Sequence, residues 1–191
     1  LGSMLTPVGN PQNLYIYQTS GMSLGEFVVT MSLYSLLSLV MLLISVAVSC
    51  RDSEPIKAEL KDAAYEKKPV VVYLSFFVLC LLVVLKILPY WLPLVVILVY
   101  LLIFDRSIIG QADYSLLLIF VFLFVFTGNL SRVPSVNNLL TSLVEGHEVL
   151  TAVAASQLIS NVPATLLLSG FTTDYHSLLI GVNLGGLGTL I

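Results

Sequence analysis

Long apolar runs separated by short polar breaks organise this chain from end to end. LGEFVVTMSLYSLLSLVMLLISVAVSC (24–50) predicts a first complete span, and VVVYLSFFVLCLLVVLKI (70–87) a second. PLVVILVYLLIF (93–104) predicts a third, reached through LPYWLP, where Pro89 and Pro93 end helices and Tyr90 and Trp91 suit headgroup depth. Residues 105–113 read as a short polar loop. LLLIFVFLFVF (116–126) predicts a fourth helix, broken by Gly128, Asn129 and Pro134 of the TGNLSRVPS that follows. A helix needs about 20 residues to cross about 30 Å of hydrocarbon, and several of these runs approach that length. The pattern is that of a polytopic, all-α membrane protein.

The next apolar runs are shorter. VLTAVAA (149–155) and TLLLSGF (165–171) are each too short to span, and SQLISNVPAT lies between them. That length predicts a re-entrant hairpin over 148–171, entering from outside and turning near the midplane at Ser160, Asn161, Val162 and Pro163. TPVGNPQN (6–13) and NLGGLGT (183–189) are two further breaks. Backbone that leaves the helix at membrane depth must be satisfied by protein, water or a ligand, because lipid offers no hydrogen bonds. Hydroxyls and amides at a hairpin tip, freed carbonyls and helix-end N–H groups can together replace the hydration of an anion and a small cation. Two plainer readings stand beside this one. Glycines at small spacing also permit close helix packing, and Ser-Asn-Val-Pro also describes a proline kink whose freed carbonyl is capped by Ser or Asn.

Charge supplies orientation. The chain is 58% hydrophobic and only 10% charged over 191 residues, against roughly 25% charged for soluble domains, which makes it an integral membrane protein. Five of its eight basic residues, Arg51, Lys57, Lys61, Lys67 and Lys68, fall in the connector 51–68, and a short basic loop stays in the cytoplasm. The same connector carries five acids and reads as a solvated helical linker. The first span then runs inward, the second outward, the third inward and the fourth outward. Leu1–Thr6 lies over Leu184–Thr189 at an offset of 183 residues, with Leu, Gly and Thr identical. The first stretch belongs to a segment travelling outward and the second follows the external turn TTDYH, so the two are traversed in opposite directions, as an inverted repeat requires. The expected organisation is 1–50 as the end of a first repeat, 51–68 as a cytoplasmic linker and 69–191 as a second repeat, with a broken helix over 175–191. LGSMLTPVGN has no charged start before an apolar stretch, so it is not a signal peptide and reads as an internal cut.

Enzyme signatures fail on inspection. His147-Glu148 begins a zinc-protease pattern, but its second histidine position holds Thr151, and Ser169-Gly170 lacks the upstream glycine of an intramembrane serine protease because position 167 is Leu167. No phosphate-binding loop for a nucleotide occurs. Glu26, His147, Glu148, Asp174 and His176 fall near span ends, where headgroup-level solvation explains them. Cys50 and Cys80 read as free thiols and do not report the compartment. An enzyme and a nucleic-acid binder are not expected.

TPVGNPQNLYIY, FTGNLSRVP, SQLISNVPATLLLSG and GVNLGGLGTLI resemble the permeases of the ion transporter superfamily, which holds citrate and dicarboxylate carriers, arsenite permeases and sodium/proton antiporters. The resemblance covers essentially the whole chain. It implies a protein of about twice this length, built from two inverted repeats that each hold a re-entrant hairpin and a broken helix. It also implies a homodimer in the cell membrane, moving a small anion with sodium or protons by an elevator-like motion. Ser160 and Asn161 match the hairpin-tip motif, Thr6, Gly9, Asn10 and Pro11 the first broken helix, and Gly185, Gly186 and Thr189 the second. With Thr165 and Asn183, and without Pro11, these form the candidate substrate- and ion-binding set. Where the sodium/dicarboxylate branch has Ser-Asn-Thr at the tip, this chain has Val162 and Pro163 after Asn161, which is closer to the arsenite/citrate-like branch. No Asp or Glu occurs in the membrane-depth segments, so this half offers an ion only neutral oxygens, which suit sodium, while relatives often carry a titratable Asp in the first hairpin. No cofactor beyond sodium as coupling ion is expected. The rival functions are a sodium/proton antiporter of the same superfamily, a passive anion channel and a non-transporting membrane scaffold.

Overall fold

The computed structural model describes residues 1–49 and 67–187. Nearly all of the expected cytoplasmic linker, together with Gly188 and Thr189 of the last break, lies outside those residues. Among the described residues the regular structure is helical throughout, with no strand.

The helices begin and end where local chemistry allows it. After a 3-10 turn at Gly2–Leu5, α1 (Pro11–Ser20) starts with Asn10 as its cap, whose side-chain oxygen accepts from the Asn13 N–H at 2.9 Å, and with Pro11 at the first helical position. It stops at Gly21, whose φ of 73° is the left-handed conformation that glycine adopts without strain. α2 (Leu24–Ser49) opens on a reciprocal capping box: the Ser23 hydroxyl accepts from the Glu26 N–H at 3.2 Å, and the Glu26 carboxylate accepts from the Ser23 N–H at 2.7 Å. α3 (Lys67–Val84) and α4 (Trp91–Phe104) flank the predicted Leu-Pro-Tyr-Trp turn, and α5 is short (Arg106–Gln111). α6 (Tyr114–Leu130) is capped by Asp113, and α7 (Pro134–Val144) follows with its proline at the first position. α8 (Glu148–Ile159) and α9 (Asn161–Leu168) form the hairpin, and α10 (Tyr175–Gly185) closes the described chain.

Three expectations are corrected here. The polar loop expected over 105–113 contains helix α5. α6 does not break at Gly128 or Asn129: Asn129 stays helical and its side-chain N–H bonds the Val125 carbonyl at 2.8 Å, so the change of direction waits until Pro134, where α6 and α7 meet at 101°. The third correction is one of bounds: the run expected over 93–104 is helical from Trp91, and its 14 residues rise only about 21 Å. Among the described residues α2, with 26 residues, is the one helix long and apolar enough to cross a membrane unaided, and α6 with α7 reaches that length as a bent pair.

Two compact units are present. The first comprises Leu1–Ser38 and Asp113–Ile191, so it joins the two ends of the chain. Its core holds Ile16 and Tyr17 of α1, Phe27 and Met31 of α2, Ala152 of α8, Ala164, Leu166 and Leu168 of α9, and Leu178, Leu179 and Val182 of α10. Tyr17 meets Phe27 edge-on at 6.1 Å. α10 lies against α8 closely enough that a Cβ at Gly181 would fall 2.6 Å from the Ala152 Cβ and 2.7 Å from the Val149 carbonyl oxygen. At Gly185 it would fall 2.7 Å from the Ser156 Cβ, so the pair at 181 and 185 is a small-residue packing stripe. The second unit, Leu39–Ala112, is tied by an aromatic ladder of Tyr73, Phe76, Tyr100 and Phe104, with the Tyr73 hydroxyl donating to Asp105 at 2.9 Å. Leu33, Leu36 and Leu37 of α2 and Leu117, Phe122 and Val125 of α6 remain exposed, the distribution of a chain whose outer solvent is hydrocarbon.

Candidate functional site

The first unit holds the predicted breaks at 6–13 and at the hairpin tip, and the described part, residues 183–187, of the third. In the first, Thr6 is extended (φ −130°, ψ 146°), and the loop then doubles back so that a Cβ at Gly9 would fall 2.1 Å from the Ser3 carbonyl oxygen. Only glycine fits there. Asn10 caps α1 and its amide reaches the Ser3 hydroxyl at 3.5 Å. The side-chain amide of Asn13, fully buried, donates toward the carbonyls of Ser3, Met4 and Thr6 at 3.1, 3.4 and 3.3 Å.

The hairpin turn is tighter than the four-residue tip predicted from sequence. Both arms are helical up to a single residue, Ser160, whose φ of 72° and ψ of 159° end α8 and start α9 at once. A non-glycine residue held there carries backbone strain on the order of 1–3 kcal/mol, which has to be compensated by its surroundings. Ser160 is exposed, Asn161 opens α9, and Val162 and Pro163 lie inside its first turn. Thr165 is fully buried and its hydroxyl donates to the Asn161 carbonyl at 2.7 Å, so it braces the turn.

In the last break α10 ends at Gly185, with Gly186 and Leu187 turning back on Val182 and Leu184. The Gly185 carbonyl accepts from the side-chain amide of Gln157 on α8. Gly186 is the floor on which Asn161 rests, since a Cβ there would fall 2.2 Å from Asn161 Nδ2 and 3.2 Å from Oδ1. Asn183, one turn earlier, is buried and donates to Asn13 Oδ1 at 2.7 Å and to the Leu179 carbonyl at 2.9 Å.

The predicted residues therefore separate into two groups joined through α10. Asn161, Gly185 and Gly186 meet where the N-terminus of α9 faces the C-terminus of α10. Thr6, Gly9, Asn10 and Asn183 gather around Asn13. Ser160 sits at the surface beside the first group, and Thr189 lies outside the described residues. Asn161 Oδ1 in the first group and Ser156 Oγ of α8 beside it are buried without a hydrogen-bond partner, as is Ser35 Oγ on α2. Each such orphan costs about 1–3 kcal/mol, and each is an acceptor ready for a ligand. The C-terminal carbonyls of α10 add partial negative charge to this junction and the first amides of α9 partial positive charge.

Ser156, Gln157 and Asn13 are absent from the predicted set. Gln157 carried a signal, being a polar amide inside an apolar arm, and Asn13 stands three residues after a capping asparagine. Which way each points depends on how α8 and α1 dock. Two cavities lie nearby. One of about 300 Å³ between α1, α6 and α9 is lined mainly by apolar groups, among them Leu14, Tyr15, Phe120 and Phe124. The other, about 270 Å³, opens at the far ends of the hairpin arms beside Glu145, Glu148 and Thr172. There the Glu148 carboxylate accepts from the Gly146 N–H at 3.2 Å and the Thr172 hydroxyl at 3.4 Å.

A family model described as citrate transporter matches residues 1–184. An uncharacterized transporter of Methanocaldococcus jannaschii is 36% identical over 195 residues, covering 100% of this chain and 52% of that protein. An inner membrane protein of Escherichia coli is 32% identical over 195 residues, covering 99% of this chain and 52% of its own length. The chain thus spans about half the length of the curated relatives it matches. No solved structure matches it.

Proposed function

The chain belongs to the citrate transporter family, and from that premise we propose that it forms part of a multi-pass carrier in the cell membrane that moves a small anion by ion-coupled alternating access. The apolar outer surface of its helices and the transporter and inner-membrane names of its relatives support membrane transport. The coupling reading is carried by one observation: Asn161 Oδ1 and Ser156 Oγ are buried without partners beside Gly185 and Gly186.

Two buried oxygens with no protein partner each cost about 1–3 kcal/mol. A sodium ion relieves that cost by taking both oxygens as ligands, with the Ser160 hydroxyl and the carbonyls at the end of α10 completing its shell. The bound cation and the N-terminal amides of α9 then attract the anion, a carboxylate such as citrate or an oxyanion such as arsenite. Neutral donors serve sodium without a titration step, whereas a proton would need an ionisable group. Because the ion binds only the conformation in which the hairpin tip faces Gly186, it shifts the carrier between states by its differential affinity.

The test is a thermal-shift screen of the full-length carrier in detergent against sodium, carboxylates and oxyanions. Binding raises the melting temperature by mass action. Sodium should stabilise on its own, and the right anion should stabilise further only when sodium is present. A melting temperature indifferent to every anion and to sodium refutes the reading.

A further inference from the structure

The first break contains a feature that transport of an anion does not by itself require. Three backbone carbonyls, of Ser3, Met4 and Thr6, converge on one point, and Gly9 permits it, because any side chain there would strike the Ser3 carbonyl and open the loop. Freed carbonyls converging at membrane depth are the usual lining of a cation site. Here the point is taken by the Asn13 amide nitrogen. The orientation of that amide is fixed by its surroundings. Turning it over would put Oδ1 against three carbonyl oxygens and would leave Asn183 Nδ2 facing another N–H, so the observed arrangement is the one in which every contact pairs a donor with an acceptor.

We propose that Asn13 is a built-in surrogate for a cation: its side-chain amide permanently fills the carbonyl nest of the first break, closing it to ions. Through Asn183 it also ties that nest to α10, one turn before the glycines that carry Asn161. The chain thus has one set of carbonyls held by its own Asn13 side chain, that of Thr6 also accepting from the Gly9 N–H, while beside the hairpin Asn161 Oδ1 and Ser156 Oγ have no partner. Asn13 and Asn183 are 0% and 3% exposed, so neither amide is free to leave for water. The consequence is a division of labour in which the first break is a fixed wall and ion occupancy is decided elsewhere.

The test replaces the surrogate in the full-length protein. Asn13→Asp turns the donor into a fourth oxygen facing three carbonyls, and Asn13→Ala leaves the nest empty. Both should create a requirement for an alkali cation that the wild type lacks there. Melting temperature is measured in detergent as sodium chloride or potassium chloride replaces choline chloride at constant total salt. Beyond whatever the wild type shows, each variant should gain a rise of about 3 °C or more between about 1 and about 100 mM cation, larger for the Asp variant. Asn183→Ala should lower the melting temperature without adding any cation dependence, since Asn13 still fills the nest. The proposal is overturned if both Asn13 variants fall by the same amount at every cation concentration, or if neither folds at any of them, because a cation should restore them. The readout is stability, so it stands whether or not the anion-transport reading survives.

Discussion

Asn161→Ala separates a residue that holds the fold from one that waits for a ligand. Without an ion, the substitution removes a buried unpaired oxygen, which relieves about 1–3 kcal/mol. It also removes the amide that rests on Gly186, and the space left costs on the order of 1 kcal/mol at about 24 cal/mol per Å³. The ion-free protein should therefore be unchanged or stabilised by up to about 2 kcal/mol, an unusual result for truncating a partly buried polar side chain. With sodium at about a hundred times its dissociation constant, the wild type gains about 2.7 kcal/mol and the variant gains nothing. At roughly 2–4 °C per kcal/mol the wild-type increment is about 5–10 °C. Thermal melts of both proteins in choline and in sodium buffers give all four numbers. A variant that melts well below wild type in choline, yet keeps the sodium increment, would show that Asn161 is a packing residue and refute the reasoning.

Gly181→Ala should destabilise by up to about 2 kcal/mol, since strain of about 1–3 kcal/mol against Val149 and Ala152 outweighs a helix-propensity gain of about 1, while Gly128→Ala, with nothing within 4 Å, should be neutral or stabilising; paired melts in detergent check both. Hydrogen bonding from Ser177 holds the Asp174 carboxyl below the usual carboxylate range, so its capping contribution is present above about pH 4 and is lost as the pH falls through its lowered folded value. Asp174→Ala should accordingly cost about 1 kcal/mol at neutral pH, and the gap between wild type and variant should narrow in acid melts as the charge is lost, while Asp174→Asn retains the cap. A cysteine replacing Ser53 in a cysteine-free background should react with an impermeant maleimide only from the cytoplasmic side, and labelling of intact cells from outside would overturn the assigned orientation.

What the sequence made legible was set by the length scale of the physics involved. Apolar runs and their interruptions are local, and the positions of α2, α3, the helical hairpin and the interruption at 6–10 follow from them. Gly128 and Asn129 misled because a helix at membrane depth can absorb an asparagine whose amide bonds the carbonyl one turn back, and only Pro134, lacking its own N–H, forces the turn. Of the readings open for the glycines at the end of α10, the structure supports close packing: Gly181 and Gly185 lie against α8, and Gly186, just past the helix, lies against Asn161. Ser156, Gln157 and Asn13 were out of reach because their partners come from another helix. Gln157 on α8 finds the end of α10, and Asn13 finds Asn183 at a separation of 170 residues. Pattern places a residue on an element; only docking decides which break it serves.

The most direct test of the central claim, that neutral oxygens at the hairpin tip couple anion movement to sodium, is uptake by the full-length carrier in proteoliposomes with sodium and proton gradients imposed separately. Sodium coupling at this site predicts saturable anion uptake driven by an inward sodium gradient at clamped pH, abolished in Asn161→Ala at normal expression. Uptake driven by a pH gradient in the absence of sodium, or wild-type uptake in Asn161→Ala, would contradict it.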